Sequence, residues 1–115
     1  MSEIRKLQIG LNFAIIEHMK KKIPKELQPL LWSKSVGKLD LGRDRNYIIH
    51  QILSYGDLKH LRWLFKVYKN RDITDVFVRF PQKIYQPSVF YFVKNFILHL
   101  KTKKLKEKNY AKNLF

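Results

Sequence analysis

Four histidines, nine acidic residues and no cysteine bound the chemistry this chain can carry. His18, His50, His60 and His99 are scattered, and neither an H-x-x-x-H nor an H-E-x-x-H pair occurs. The spacing that sets two imidazoles on one helical face for zinc is therefore missing. Asp40 and Asp44 have the right type to hold a cation, but aspartates ahead of a helix more often serve as caps. His60 reads as a surface residue in the first turn of a helix, and His50 and His99 as structural histidines among apolar neighbours. No G-x-x-x-x-G-K-[ST] phosphate cradle and no G-x-S-x-G nucleophile elbow is present. The sequence points to no catalytic residue, no metal ligand and no cofactor. A binding protein is the expectation, not an enzyme.

What the chain has in excess is positive charge. Its 24 basic and 9 acidic side chains leave a formal net charge of +15 over 115 residues. Such a field draws in phosphate polymers. The strongest local bias is "KTKKLKEKNYAK", where six lysines, among them Lys101, Lys103, Lys104, Lys106 and Lys108, stand against Glu107. Each of these lysines can equally be a solvated helix face. Two helix-turn-helix registers fit: residues 57–69 supporting 72–80, or 72–80 supporting 87–100. The second presents Lys83, Tyr85, Gln86 and Ser88 to phosphates or base edges, with Arg79 as a backbone contact that positions without reading. Lys94 completes the nucleic-acid set. Tyr91 and Trp63 have rings that can stack on unpaired bases, although core or partner contact is the commoner use of such residues.

These residues need helices to hold them. Only four Gly and four Pro occur, which suits long regular elements. Ile4, Leu7, Leu11, Ile15 and Met19 recur near i, i+4 over residues 3–20, predicting a first helix. A short turn follows in "PKELQPLLW", then a loop in "SKSVGKLDLG". A second long helix is expected from near Asp44 through "RNYIIHQILSYG", ended by Gly56 as a C-cap. Asp57 should cap the next helix, with Leu58, Leu61, Leu64, Phe65 and Tyr68 inward. Asp72 and Asp75 resemble a capping box for a short helix closed by Pro81, although Val76 and Val78 leave 76–80 open to a strand reading. The last helix should begin at Pro87 and run through "SVFYFVKNFILHLKTKKLKEKN", burying Val89, Phe92, Val93, Phe96, Leu100 and Tyr85. The expected architecture is all-α: a small single-domain helical bundle over residues 1–100, helix-turn-helix-like, with a basic extension at 101–115. "SVFYFVKNFILHL", the most apolar stretch, is too short and interrupted to span a bilayer. No signal-peptide pattern occurs at the N-terminus. With no cysteine, a reducing, cytoplasmic setting is expected.

"PKELQPLLW" and "LDLGRDRNYIIHQILSYGDLKHLRWLFKVY" carry a resemblance. Pro24, Leu31, Trp32, Gly56, Asp57, Arg62, Trp63 and Leu64, with Pro87 and Phe92 later, resemble a small uncharacterised prokaryotic family of antitoxin-like helical proteins. Its members are often encoded beside nucleotidyltransferase-type toxins. The likeness covers about residues 24–98 and departs at "YQPSVF", where the family pattern has serine or threonine directly before proline. It implies a toxin–antitoxin system in which the chain binds a cognate protein and DNA; Arg62 and Trp63 are, from the residues themselves, the expected partner contacts. It assigns no catalytic residue. The alternatives are a helical protein-interaction module with solubilising lysines, which can self-associate, and an RNA-associated protein.

Overall fold

The computed structural model describes residues 23–112. The helix expected over residues 3–20 lies outside the described residues. Two compact units divide the chain, Met1–Arg45 and Asn46–Phe115. The described architecture is all-α: four α-helices, three short 3-10 turns and one π-helical turn, with no strand among the described residues.

In the first unit, residues 23–45 are held by side chains more than by regular structure. A 3-10 turn, Lys25–Leu27, follows Pro24, and another, Val36–Lys38, breaks the expected loop. The Gln28 amide binds both ends of the span between them. Its Nε2 donates to the carbonyls of Leu31 and Lys34 at 2.8 and 3.0 Å, and its Oε1 accepts from Val36 N–H at 2.9 Å. Asp40 Oδ2 accepts from the amides of Gly42 and Arg43. Asp44 Oδ2 accepts from Asp40 N–H and from Arg43 Nη2. These aspartates close a turn, and the amides they serve lie before the helix and not in it. Arg43, then Asp40 N–H, hold the Asp44 carboxyl below its ordinary value.

Helix α1, Arg45–Tyr55, lies in the second unit from Asn46 onward and buries Ile48, Ile49, His50, Ile52 and Leu53. Gly56 ends it for a reason other than a left-handed turn, since no glycine has positive φ among the described residues. A Cβ there would lie 2.7 Å from the Ile52 carbonyl oxygen and 2.9 Å from His60 Cβ. Close approach, not torsion, demands glycine. Helix α2, Leu58–Val67, opens with a full capping box: Asp57 accepts from Lys59 N–H, and His60 Nδ1 accepts from Asp57 N–H at 3.0 Å. Leu61 and Leu64 are buried, but Leu58, expected inward, is 64% exposed.

Helix α3, Asn70–Arg79, begins two residues before the expected start, with Lys69 at the N-cap and no side-chain cap. Asp72 is thus inside the first turn, where negative charge suits the helix dipole. Asp75 pairs with Arg79 at 2.8 Å instead of completing a capping box. Val76 and Val78 are helical, so the strand alternative for this segment is corrected. Helix α4 is short, Pro87–Phe92, and passes into a π-helical turn, Val93–Ile97. His99 then takes a left-handed φ of 54°, and the long closing helix expected from the sequence stops there. Residues 101–112 are turns and one 3-10 turn, Glu107–Asn109, so the lysines do not share a helix face.

The core of this unit is a stack of rings. Phe77 lies 4.7 Å from Tyr110, 5.6 Å from Tyr85 and 6.1 Å from Phe90, centroid to centroid. All four are buried. Phe90 and Val93 face inward, while Phe92 and Phe96, both expected in the core, are 50% and 59% exposed.

Candidate nucleic-acid interface

The buried rings fix the loop that carries the surface site. His50 sits at the junction, its Nε2 2.7 Å from the Phe80 carbonyl and its Nδ1 2.7 Å from Tyr85 Oη. A carbonyl only accepts, so Nε2 bears the proton and Nδ1 accepts from the Tyr85 hydroxyl. Burial holds this imidazole below its ordinary pKa and pushes the Tyr85 phenol well above its own. Both are therefore neutral near pH 7. Ser54 Oγ and Tyr55 Oη donate to the Ile84 carbonyl at 3.0 and 3.3 Å. Four hydrogen bonds from α1 and Tyr85 thus immobilise residues 80–85.

That loop is then laced to the chain's C-terminal segment. Tyr85 N–H donates to the Tyr110 carbonyl at 2.9 Å, and Lys112 N–H donates to the Tyr85 carbonyl at 2.8 Å. Together they form an isolated parallel bridge between Tyr85 and Ala111. Tyr110 is buried and its hydroxyl donates to the Phe77 carbonyl at 2.7 Å. Hence the basic C-terminal extension is fastened to this loop at Tyr110–Lys112.

One result is an open hollow of about 340 Å³ lined by Lys83, Glu107, Lys108, Ala111 and Lys112. Lys83 comes from the loop, while Lys108 and Lys112 come from the segment bridged to it. Lys112 Nζ lies 4.8 Å from the centroid of the Tyr55 ring, which orients it. Glu107 is the single acidic residue in the lining, and its carboxylate accepts the Tyr91 hydroxyl at 3.0 Å. That bond holds the Tyr91 phenol above its ordinary pKa. Three basic side chains and one acidic one therefore line the same hollow, which gives it a net positive charge.

The other candidate residues fall into two groups. Gln86, Ser88, Lys101, Lys103, Lys104 and Lys106 are exposed, with Gln86 at the N-cap of α4 and Pro87 in its first turn. Arg79 is exposed but shares its guanidinium with Asp75. Lys94 is buried, and its ammonium donates to the Lys101 carbonyl and Asn95 Oδ1, both at 3.3 Å. It braces the turn beneath Lys101 and presents no charge for a phosphate. Arg62 is exposed and Trp63 half-buried on α2. The second helix-turn-helix register loses its reading helix, since α4 has only six α-helical residues. Lys112 was not among the expected contacts. Its signal was the i, i+4 spacing from Lys108, and only the bridge to Tyr85 gives that spacing meaning.

No group of three or more potential metal-ligating side chains occurs among the described residues. None of the described helices is long and apolar enough to cross a membrane. Residues 26–77 match the model of a family of unknown function (DUF6922). The matched stretch runs from the turn at Lys25–Leu27 to Phe77 in α3, so it includes Arg62 and Trp63 and leaves the lysine hollow outside. No curated protein and no solved structure matches the chain.

Proposed function

We propose that this protein binds nucleic acid through its phosphate backbone, with DNA the expected target. The observation that supports it is the convergence of Lys83, Lys108 and Lys112 on one hollow whose only acidic residue, Glu107, is engaged by Tyr91. Exposed lysines from Lys101 to Lys108 extend the same charge along the chain. Contacts of this kind give affinity without sequence discrimination.

Affinity for a DNA duplex measured against salt concentration tests the proposal. The logarithm of the binding constant should fall steeply with the logarithm of salt. Exchanging Lys83, Lys108 and Lys112 for glutamine should flatten that slope by roughly 2 to 3, at about 0.9 per phosphate contact. Micromolar or weaker binding without a salt slope overturns it.

The resemblance adds a second part to the proposal, an antitoxin-like role with a cognate protein held at Arg62 and Trp63. This reading expects a nucleotidyltransferase encoded beside this gene, and that protein is the test. Its toxicity should be relieved by co-expressing this chain and not by its Arg62→Ala variant. Equal relief by both removes Arg62 from the contact, and no relief by either removes the role.

A further inference from the structure

Phe92 and Phe96 stand on one face of α4 and the π-helical turn that continues it, i and i+4. Both are exposed, at 50% and 59%, and their ring centroids are 6.1 Å apart with planes inclined by 33°. Lys101 Nζ lies 5.0 Å from the Phe96 centroid. Phe90 and Val93, on the other side of the same segment, are buried. The segment therefore packs one apolar face and presents a second.

We infer that Phe92 and Phe96 form a stacking shelf for the unpaired bases of a single-stranded nucleic acid, with Lys101 turning from the Phe96 ring to the adjoining phosphate. The inference rests on the phosphate-binding reading and names the form of nucleic acid it takes. Charge complementarity selects the occupant. Protein interfaces are depleted in lysine at their cores, whereas here a lysine ammonium lies on the exposed ring itself. Membrane-surface helices need an extended apolar stripe, and this face of Pro87–Ile97 presents two rings, one of them with a lysine ammonium over it. A base in a duplex has both faces covered by its neighbours, whereas an unpaired base offers its face to a protein ring without the cost of unstacking a duplex. The two sites are also connected. Tyr91, next to Phe92, donates to Glu107 in the lysine hollow, and the chain from Lys101 to Lys108 joins shelf to hollow through exposed Lys103, Lys104 and Lys106. A strand whose backbone follows these lysines can place its bases against the rings.

The test compares three probes at one salt concentration: a short oligothymidylate, an abasic strand with the same number of phosphates, and a duplex. The full chain should bind oligothymidylate roughly tenfold or more tighter than the abasic strand, as stacking on one or two rings provides. The variant Phe92→Leu with Phe96→Leu keeps apolar volume and loses the aromatic faces. It should bind oligothymidylate only as well as the abasic strand, with abasic affinity and salt slope unchanged. Equal affinity of the unaltered chain for oligothymidylate and abasic strand overturns the shelf while leaving the phosphate reading standing. Absence of binding to every probe overturns both. Duplex binding as tight as oligothymidylate binding also overturns the shelf. So does a double-leucine variant that keeps the base preference, and loss in that variant of self-association or of binding to anionic vesicles then assigns the rings to a second copy or a lipid surface.

Discussion

Inside the second unit and on its surface, the same residue types serve opposite ends. The cluster of His50, Phe77, Tyr85, Phe90 and Tyr110 is buried, and no buried side-chain nitrogen or oxygen lacks a hydrogen-bond partner among the described residues. Each polar atom is matched to one acceptor or donor, as an interior requires. A few residues along the chain, Phe92, Phe96 and Lys101 repeat the combination of rings and a basic group with the rings half open to water. Polar satisfaction makes the first cluster a scaffold. The second cluster is left half open among the described residues. The scaffold also creates the other surface, because Tyr85 and Tyr110 bring Lys83 to Lys108 and Lys112.

The contrast predicts widely different costs for one kind of substitution. Phe77→Ala removes a fully buried ring that touches Tyr85, Phe90 and Tyr110. Urea denaturation should show a loss of about 3–5 kcal/mol, the usual cost of deleting a buried phenylalanine. Phe96→Ala should change stability by about 0.5 kcal/mol or less, as exposed positions do. If Phe96→Ala costs as much as Phe77→Ala, the shelf is part of the core and the comparison fails.

Why sequence separates some of these positions and merges others follows from how local each signal is. The boundary between α1 and α2 is legible because Gly56 and Asp57 act within four residues of themselves. The capping box formed by Asp57 and His60 is equally local, although His60 itself reads as ordinary surface. Helix α3 is harder to delimit. Asp72 is an attractive cap, yet Lys69 occupies the N-cap position and Asp72 stabilises the first turn through charge alone. The last segment is the least legible. "VFYFVKNFILHL" is apolar almost all round, so periodicity does not distinguish a face made by Phe90 and Val93 from one made by Phe92 and Phe96. Packing against Phe77 and Tyr110 decides it, and those partners are distant in sequence. The surface site was readable as charge in Lys83 and Lys108. Lys112 gains its place only from the bridge to Tyr85.

Gly56→Ala should be the next most damaging change. The added methyl would meet the Ile52 carbonyl oxygen at 2.7 Å and His60 Cβ at 2.9 Å, neither of which is the end of a flexible side chain. Shifting the backbone between α1 and α2 should cost about 1–3 kcal/mol, typical of overpacking. A variant as stable as the parent would show that this junction yields easily. The scaffold would then be less rigid than its hydrogen bonds suggest.

His50 gives the scaffold a pH limit that the shelf lacks. Its folded pKa is depressed by burial below the ordinary 6.5. The unfolded chain therefore takes up a proton first as pH falls. Stability should be full above about pH 6.5 and decline below it, through the interval down to the folded pKa, at no more than about 1.4 kcal/mol per pH unit for one proton. Protonation would oblige Nδ1 to donate and so reverse the Tyr85 hydroxyl. Denaturation midpoints recorded across this range should slope for the parent and flatten for His50→Gln. An unchanged slope in the variant would assign the effect to other groups.

The smallest predicted effect lies where scaffold and shelf meet. His99 has φ at 54° and is exposed, a torsion that non-glycine residues adopt only with strain. The turn it makes follows the bond from Leu100 N–H to the Lys94 carbonyl at 2.7 Å, and the Lys94 ammonium braces the Lys101 carbonyl from below. His99→Gly removes the strain but increases the freedom of the unfolded chain, so the net gain should be up to about 1 kcal/mol. His99→Val should be destabilising, because a β-branched side chain resists this region most strongly. Neither change touches a ring. Should His99→Val lower oligothymidylate affinity while leaving Phe77 packing intact by near-ultraviolet circular dichroism, the turn is what holds Lys101 over Phe96. The shelf would then depend on backbone geometry as well as on its two rings.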